Sequence, residues 1–112
     1  MARVGYLSPF VLAEIDYPCL TRAGVPAELA FLETVAAGAY ELASFDATDV
    51  YEAVGVIERY SEHRIDLADA SIVVLAGRYG TSRVLTNDER NFRALRTPKG
   101  DPFTILPADE PI

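Results

Sequence analysis

The sequence has very little sulfur and imidazole chemistry: its 112 residues include one cysteine, Cys19, and one histidine, His63. A single cysteine cannot form an intramolecular disulfide, which excludes a disulfide-stapled fold and favours a reducing compartment. His63 lies in a polar connector with no cysteine or histidine near it in the sequence, so we interpret it as a solvated loop residue and not as a zinc ligand. Cys19 is interpreted as a core residue.

Long apolar runs are also missing. Hydrophobic residues make up 50% of the chain, but no run approaches the ~18 apolar residues that a membrane-spanning helix needs. The opening residues lack the basic, apolar and small-residue pattern of a signal sequence. We therefore expect a cytoplasmic globular protein with one domain over residues 1–107 and a loose tail over residues 108–112.

Basic residues are scarce, and the formal net charge is −7. Phosphate binding depends on a basic footprint, so this charge argues against a broad nucleic-acid-binding surface. A nuclease is still compatible with it, because carboxylates that hold a metal ion contribute negative charge themselves. The basic residues are concentrated in the last third, where a phosphodiester could be steered: Arg78, Arg83, Arg90, Arg93, Arg96 and Lys99.

The rest of the chain is organised around an apolar helix and the strand that follows it. The segment 67–76 predicts a helix with Asp69 in its first turn, and Gly80 marks the turn after it. The apolar strand over residues 83–86 leads into Asp88, so that this carboxylate should emerge at the carboxyl end of a strand. A right-handed crossover would let both acids face one cleft, which suggests a site for a hard cation.

The remaining pattern predicts alternating helices and short strands, and therefore a parallel α/β sheet. Ser8 and Pro9 begin the first predicted helix, and Pro18 should kink it or end it early. Further helices are expected between residues 25 and 38 and from the cap Asp46 through residue 60, and residues 89–95 are expected to form a short helix or a turn. Strands are expected over residues 3–7, 40–43 and 103–106.

Each candidate acid also has a plain structural interpretation. Glu14 has Phe10 and Val11 one turn behind it, so it lies on or beside an apolar face, or it is a rim residue that reaches solvent. Asp69 could serve only as a helix N-terminal acid favoured by the macrodipole. Asp88 could simply cap the helix that follows it.

Three further polar residues are not assigned to the chemistry of a site. Asp66 is interpreted as a helix cap rather than as a chemical group. Ser8 and Ser71 show no nucleophile-and-base arrangement that a sequence can reveal.

Three motifs in one order carry a family resemblance. They are the segment Ser8-Pro9-Phe10-Val11-Leu12-Ala13-Glu14-Ile15-Asp16-Tyr17, the segment Leu67-Ala68-Asp69-Ala70-Ser71, and the segment from Val84 through Thr86-Asn87-Asp88 to Phe92 with the closing strand Phe103–Pro107. Together they resemble the PIN-domain family, and within it the VapC ribonuclease toxins of bacterial toxin–antitoxin modules.

The resemblance implies a three-layer α/β/α fold with a short parallel sheet and a Mg²⁺- or Mn²⁺-dependent endoribonuclease that cuts structured RNA such as transfer or ribosomal RNA. The acids that hold the metal and carry catalysis in the family fall on Glu14, Asp69 and Asp88. Thr86 matches the small hydroxyl residue before the last acid and could orient a ligand water or carboxylate. A VapB-like antitoxin and a homodimer are the implied partners.

The match departs from the family pattern at its start. PIN domains begin with an Asp-containing strand and a helix, and this sequence has neither, so we expect a first strand, a first helix and one ligand to be missing. The enzyme hypothesis therefore has two rivals. One is a catalytically impaired remnant that still binds an antitoxin; the other is a plain structural α/β fragment.

Overall fold

The computed structural model describes residues 5–85 and 94–106. This part of the chain contains four helices and four short strands, in the order β1 (Tyr6–Leu7), α1 (Pro9–Ala23), α2 (Val25–Ala36), β2 (Glu41–Leu42), α3 (Ala47–Arg59), α4 (Leu67–Tyr79), β3 (Arg83–Leu85) and β4 (Thr104–Leu106). A short 3₁₀ turn over Ser61–His63 joins α3 to the segment before α4. The short helix or turn predicted over residues 89–95 falls almost wholly outside the described residues.

The strands form two parallel pairs. Leu7 of β1 is in register with Leu42 of β2, and Val84 of β3 is in register with Ile105 of β4. Within the described ranges β1 and β3 belong to separate two-stranded sheets. The prediction of short parallel strands alternating with helices is confirmed.

Helix α4 is the centre of the fold. Nine consecutive residues, from Ala68 to Ala76, are buried, so the helix has no solvent-facing side over this stretch. Helices α1 and α3 both pack against it. Burying each large aliphatic side chain contributes about 1.5–3 kcal/mol, so this helix supplies much of the apolar stabilisation. The expectation that the chain is built around this segment is confirmed.

Local signals account for where the helices begin and end. Ser8 caps α1, with its side chain accepting a hydrogen bond from the Phe10 amide. Asp46 caps α3 with a reciprocal capping box to Asp49, which satisfies two amides that the first turn leaves open. Gly80 ends α4 in the left-handed region (φ +64°), a conformation that glycine adopts without steric cost.

The structure corrects two expectations about α1. The helix does not end early at Pro18 but continues to Ala23, because a proline removes one hydrogen bond from a helix that neighbouring packing can still hold together. Here α2 and α4 both contact α1. The alternative, a kink at Pro18, stays a prediction. Cys19, interpreted as a core residue, is only half-buried.

Candidate functional site

Asp69 lies at the buried start of α4. Its side chain is only 6% exposed, whereas Asp66 is exposed and caps the helix by accepting a hydrogen bond from the Asp69 amide at 2.9 Å. Capping is therefore performed by Asp66, as predicted. Asp69 is the second of nine consecutive buried residues, which run from Ala68 to Ala76.

Two buried hydroxyls lie beside this turn. The Oγ atoms of Ser8 and Ser71 are 2.6 Å apart, with the two residues 3% and 0% exposed. Ser8 precedes α1 and Ser71 follows Asp69 by two residues in α4. The sequence gives neither serine a nucleophile-and-base arrangement, so the contact between them was not predicted. The one sequence feature that indicates a buried polar contact is Ser71 itself, a single hydroxyl inside an otherwise apolar helical run.

Glu14 is exposed on α1, in agreement with the interpretation of a rim residue that reaches solvent. Helix α1, which carries Glu14, contacts α4, which carries Asp69. Asp88 and Thr86 fall outside the described residues. Within residues 5–85 and 94–106, no three acidic, histidine or cysteine side chains form a group that could hold a metal ion, so the predicted three-acid cluster stays a prediction.

Arg78, near the other end of α4, is bound within the protein. It forms an ion pair with Asp49 at 2.5 Å and donates to the Ser44 carbonyl oxygen at 2.8 Å. The guanidinium hydrogen bond to Asp49 lowers the pKa of that carboxyl below its ordinary value, and the Asp46 backbone acts in the same direction. Arg78 thus joins α4 to α3, which is a structural role and not the phosphate-steering role suggested by its position in the sequence.

Comparison with known proteins identifies the fold. A sequence model described as "PIN domain" matches residues 2–97. The chain belongs to the PIN-domain family. The resemblance inferred from three short motifs is therefore confirmed, and the helix-rich structure with short parallel strand pairs is consistent with a PIN-like α/β fold.

One curated relative narrows the family assignment. Ribonuclease VapC26 of Mycobacterium tuberculosis (strain ATCC 25618 / H37Rv) is 48% identical to this PIN domain over 101 residues, which cover 90% of this chain and 75% of the relative. The match makes this a VapC-type PIN-domain protein. No helix in the described part of the PIN domain is long and apolar enough to cross a membrane.

Proposed function

We propose that this VapC-type protein is the toxin ribonuclease of a type II toxin–antitoxin module, acting on structured RNA of the transfer or ribosomal class. The observation that carries the proposal is its 48% identity to Ribonuclease VapC26 over 90% of the chain. The position of Asp69 supports it, since this acid of the family motif lies at the start of the central helix and leaves the capping to Asp66. The cytoplasm expected from the sequence is where such RNA would be met.

The reaction we propose is hydrolysis of a phosphodiester bond by water, with a divalent metal ion held by Glu14, Asp69 and Asp88. Carboxylate oxygens suit Mg²⁺ or Mn²⁺, so the donor set fits these ions. When bound, such an ion lowers the pKa of water and neutralises charge that develops on the phosphate. Thr86 would orient a ligand oxygen.

We propose a VapB-like antitoxin as the protein partner. The described surface of α1 and α2 exposes three large apolar side chains, Tyr17 at 69%, Val25 at 53% and Leu29 at 50%. Apolar exposure on two contacting helices supports a protein-binding surface. A homodimer is part of the same proposal.

The test is RNA cleavage by the purified chain in Mg²⁺ or Mn²⁺, with and without a chelator. We expect cleavage that the chelator abolishes, and we expect Asp69→Asn, Asp88→Asn and Glu14→Gln each to lower the rate by more than about 100-fold, since even outer-shell partners of a metal change activity by 10–100-fold. Glu58→Gln, an exposed acid on α3, is the matched control and should leave the rate unchanged.

Two results would contradict the proposal. If the Asp69→Asn variant still cleaved RNA at the parent rate, Asp69 would not be part of the catalytic site. Antitoxin binding by a folded chain that cleaves no RNA under any metal condition would favour the binding-module alternative.

A further inference from the structure

The hydroxyl pair Ser8–Ser71 has a proton arrangement that the structure determines. The Oγ of Ser71 lies 2.6 Å from the Ala68 carbonyl oxygen, which can only accept, so Ser71 donates there. With an Oγ–Oγ distance of 2.6 Å, Ser8 must then donate to Ser71. The Ser8 oxygen in turn accepts from the Phe10 amide at 3.2 Å. The protons of both hydroxyls are therefore committed, in a directed series of hydrogen bonds from α1 to α4.

This chain of hydrogen bonds joins the two helices that carry two of the proposed metal ligands. Ser8 caps α1, six residues before Glu14, and Ser71 lies in α4, two residues after Asp69. The surrounding contacts are apolar, with Val11 and Ile72 in the same core cluster. Apolar contacts tolerate small sliding movements, whereas a 2.6 Å hydroxyl contact fixes both distance and direction.

We propose that Ser8 and Ser71 are positioning residues for the metal site, holding the first turn of α4, and with it the Asp69 carboxylate, at a fixed place relative to α1. The inference rests on the proposed function, because it concerns the same site. Neither serine touches the metal ion or the RNA. Their effect is to keep Asp69 preorganised for binding a cation.

The test measures Mn²⁺ affinity of the RNA-free chain by electron paramagnetic resonance, together with the urea midpoint of each variant. We expect Ser71→Ala and Ser8→Ala each to weaken Mn²⁺ binding by about 10-fold, as loss of an outer-shell partner does in other metal sites. The double variant Ser8→Ala/Ser71→Ala should weaken Mn²⁺ binding no further, because either single substitution already breaks the hydrogen bond between Ser8 and Ser71.

Stability separates positioning from general damage to the fold. Ser71→Ala leaves the Ser8 hydroxyl buried without its acceptor, whereas the double variant leaves no hydroxyl without a partner and, like Ser8→Ala alone, removes only the acceptor of the Phe10 amide. The double variant should therefore be more stable than the sum of the two single losses predicts, and its Mn²⁺ affinity should stay low. If Mn²⁺ affinity recovered along with stability, the proposal would be overturned.

Thr97→Val is the matched control. Thr97 is also buried, and its hydroxyl oxygen accepts from the Asp101 amide at 3.1 Å, in a turn that touches the opposite end of α4 at Gly77. We expect it to lower the urea midpoint without changing Mn²⁺ affinity. An equal loss of affinity in Thr97→Val would overturn the positioning role.

Asp69→Asn distinguishes failure of this inference from failure of the proposed function. If Asp69→Asn abolishes Mn²⁺ binding and Ser71→Ala leaves it within about 2-fold of the parent, the serines have no positioning role while the metal site stands. If Asp69→Asn itself leaves Mn²⁺ binding unchanged, the proposed site fails and the positioning role fails with it.

Discussion

Two aspartates at the start of α4 have opposite environments although they are three residues apart. Asp66 is exposed and caps the helix, while Asp69 is 6% exposed. The difference follows from helical geometry, since the cap residue precedes the first turn and Asp69 lies inside it, where α4 meets its neighbours. An aspartate can therefore be a helix cap at one position and a candidate metal ligand three residues later.

Asp16 of α1 and Glu28 of α2 form a pair of neighbouring carboxyl groups. Hydrogen bonding to Asp16 raises the pKa of Glu28 above its ordinary value of 4.5, with burial and the charge of Asp16 acting in the same direction. A raised pKa in the folded state means that this contact stabilises the fold fully below pH 4.5 and that the stabilisation is lost as the pH rises through the raised value. Within the described residues, the Asp16 Oδ1 atom is buried without a hydrogen-bond partner.

We therefore expect Glu28→Gln to raise the urea midpoint at neutral pH, where two carboxylates would otherwise face each other, and to have little effect at low pH. Urea unfolding at several pH values measures this. Glu58→Gln, also on an exposed helical surface, should show no comparable pH dependence. A Glu28→Gln effect that is the same at every pH would contradict the proposed carboxyl pair.

At the scale of whole elements, the contact between α4 and the turn before β4 depends on a glycine. A Cβ atom placed on Gly77 would lie 2.8 Å from Cγ of Pro98. The proline ring cannot rotate away, so the turn itself would have to move. The same turn is held by hydrogen bonds between Thr97 and Asp101, which resist that movement.

Gly77→Ala and Gly55→Ala form a matched pair for testing this contact. Both glycines are helical, but a Cβ on Gly55 of α3 meets nothing within 4 Å. We expect Gly55→Ala to stabilise the protein by up to about 1 kcal/mol through helix propensity. Gly77→Ala should lower the free energy of unfolding by about 1 kcal/mol, because overpacking of about 1–3 kcal/mol exceeds that gain. If both substitutions raised the free energy of unfolding equally, the turn that contains Pro98 would be able to move away from α4 at no energetic cost.

The sequence could predict the elements whose signals are local. The caps Ser8, Asp46 and Asp66 each stand beside the amides that they bind, and the structure confirms all three. The passage of α1 through Pro18 could not be predicted, because it depends on contacts with α2 and α4. The approach of Pro98 to Gly77 likewise joins residues that are distant in the sequence.

At the scale of the whole molecule, distant segments meet in a core that neither could form alone. Leu95, in the short described segment after residue 93, is fully buried and belongs to the same cluster as Leu7 of β1 and residues of α4. The late part of the chain therefore contributes to the stability of the early part.

Leu95→Ala tests this dependence. We expect it to lower the free energy of unfolding by about 3 kcal/mol, through lost burial and the cavity left behind. Leu29→Ala, at a position that is 50% exposed, should change stability by less than about 0.5 kcal/mol. Urea denaturation of both variants gives the comparison, and similar values for the two would place Leu95 outside the cooperative core.

The sequence could predict the family but not the assembly of the site. The motifs point to Asp69 and Glu14 as candidate ligands, and the family that the same motifs indicate is confirmed, whereas the ligand roles stay predictions. The sequence did not predict the burial of Asp69 or its neighbouring serines, because the contact of Ser8 with Ser71 depends on how α1 packs against α4. Whether the acids meet is a question of three-dimensional packing, which short motifs do not encode.

The enclosure of α4 restricts how this protein can vary over generations. A helix with one solvent face can accept polar substitutions on that face, but the segment from Ala68 to Ala76 is buried throughout. Most changes of size or charge there should be eliminated by selection, whichever RNA or partner the protein meets. We expect accepted substitutions to fall mainly on outer helices such as α2 and α3, so related PIN domains can diverge at their surfaces while inheriting the same centre.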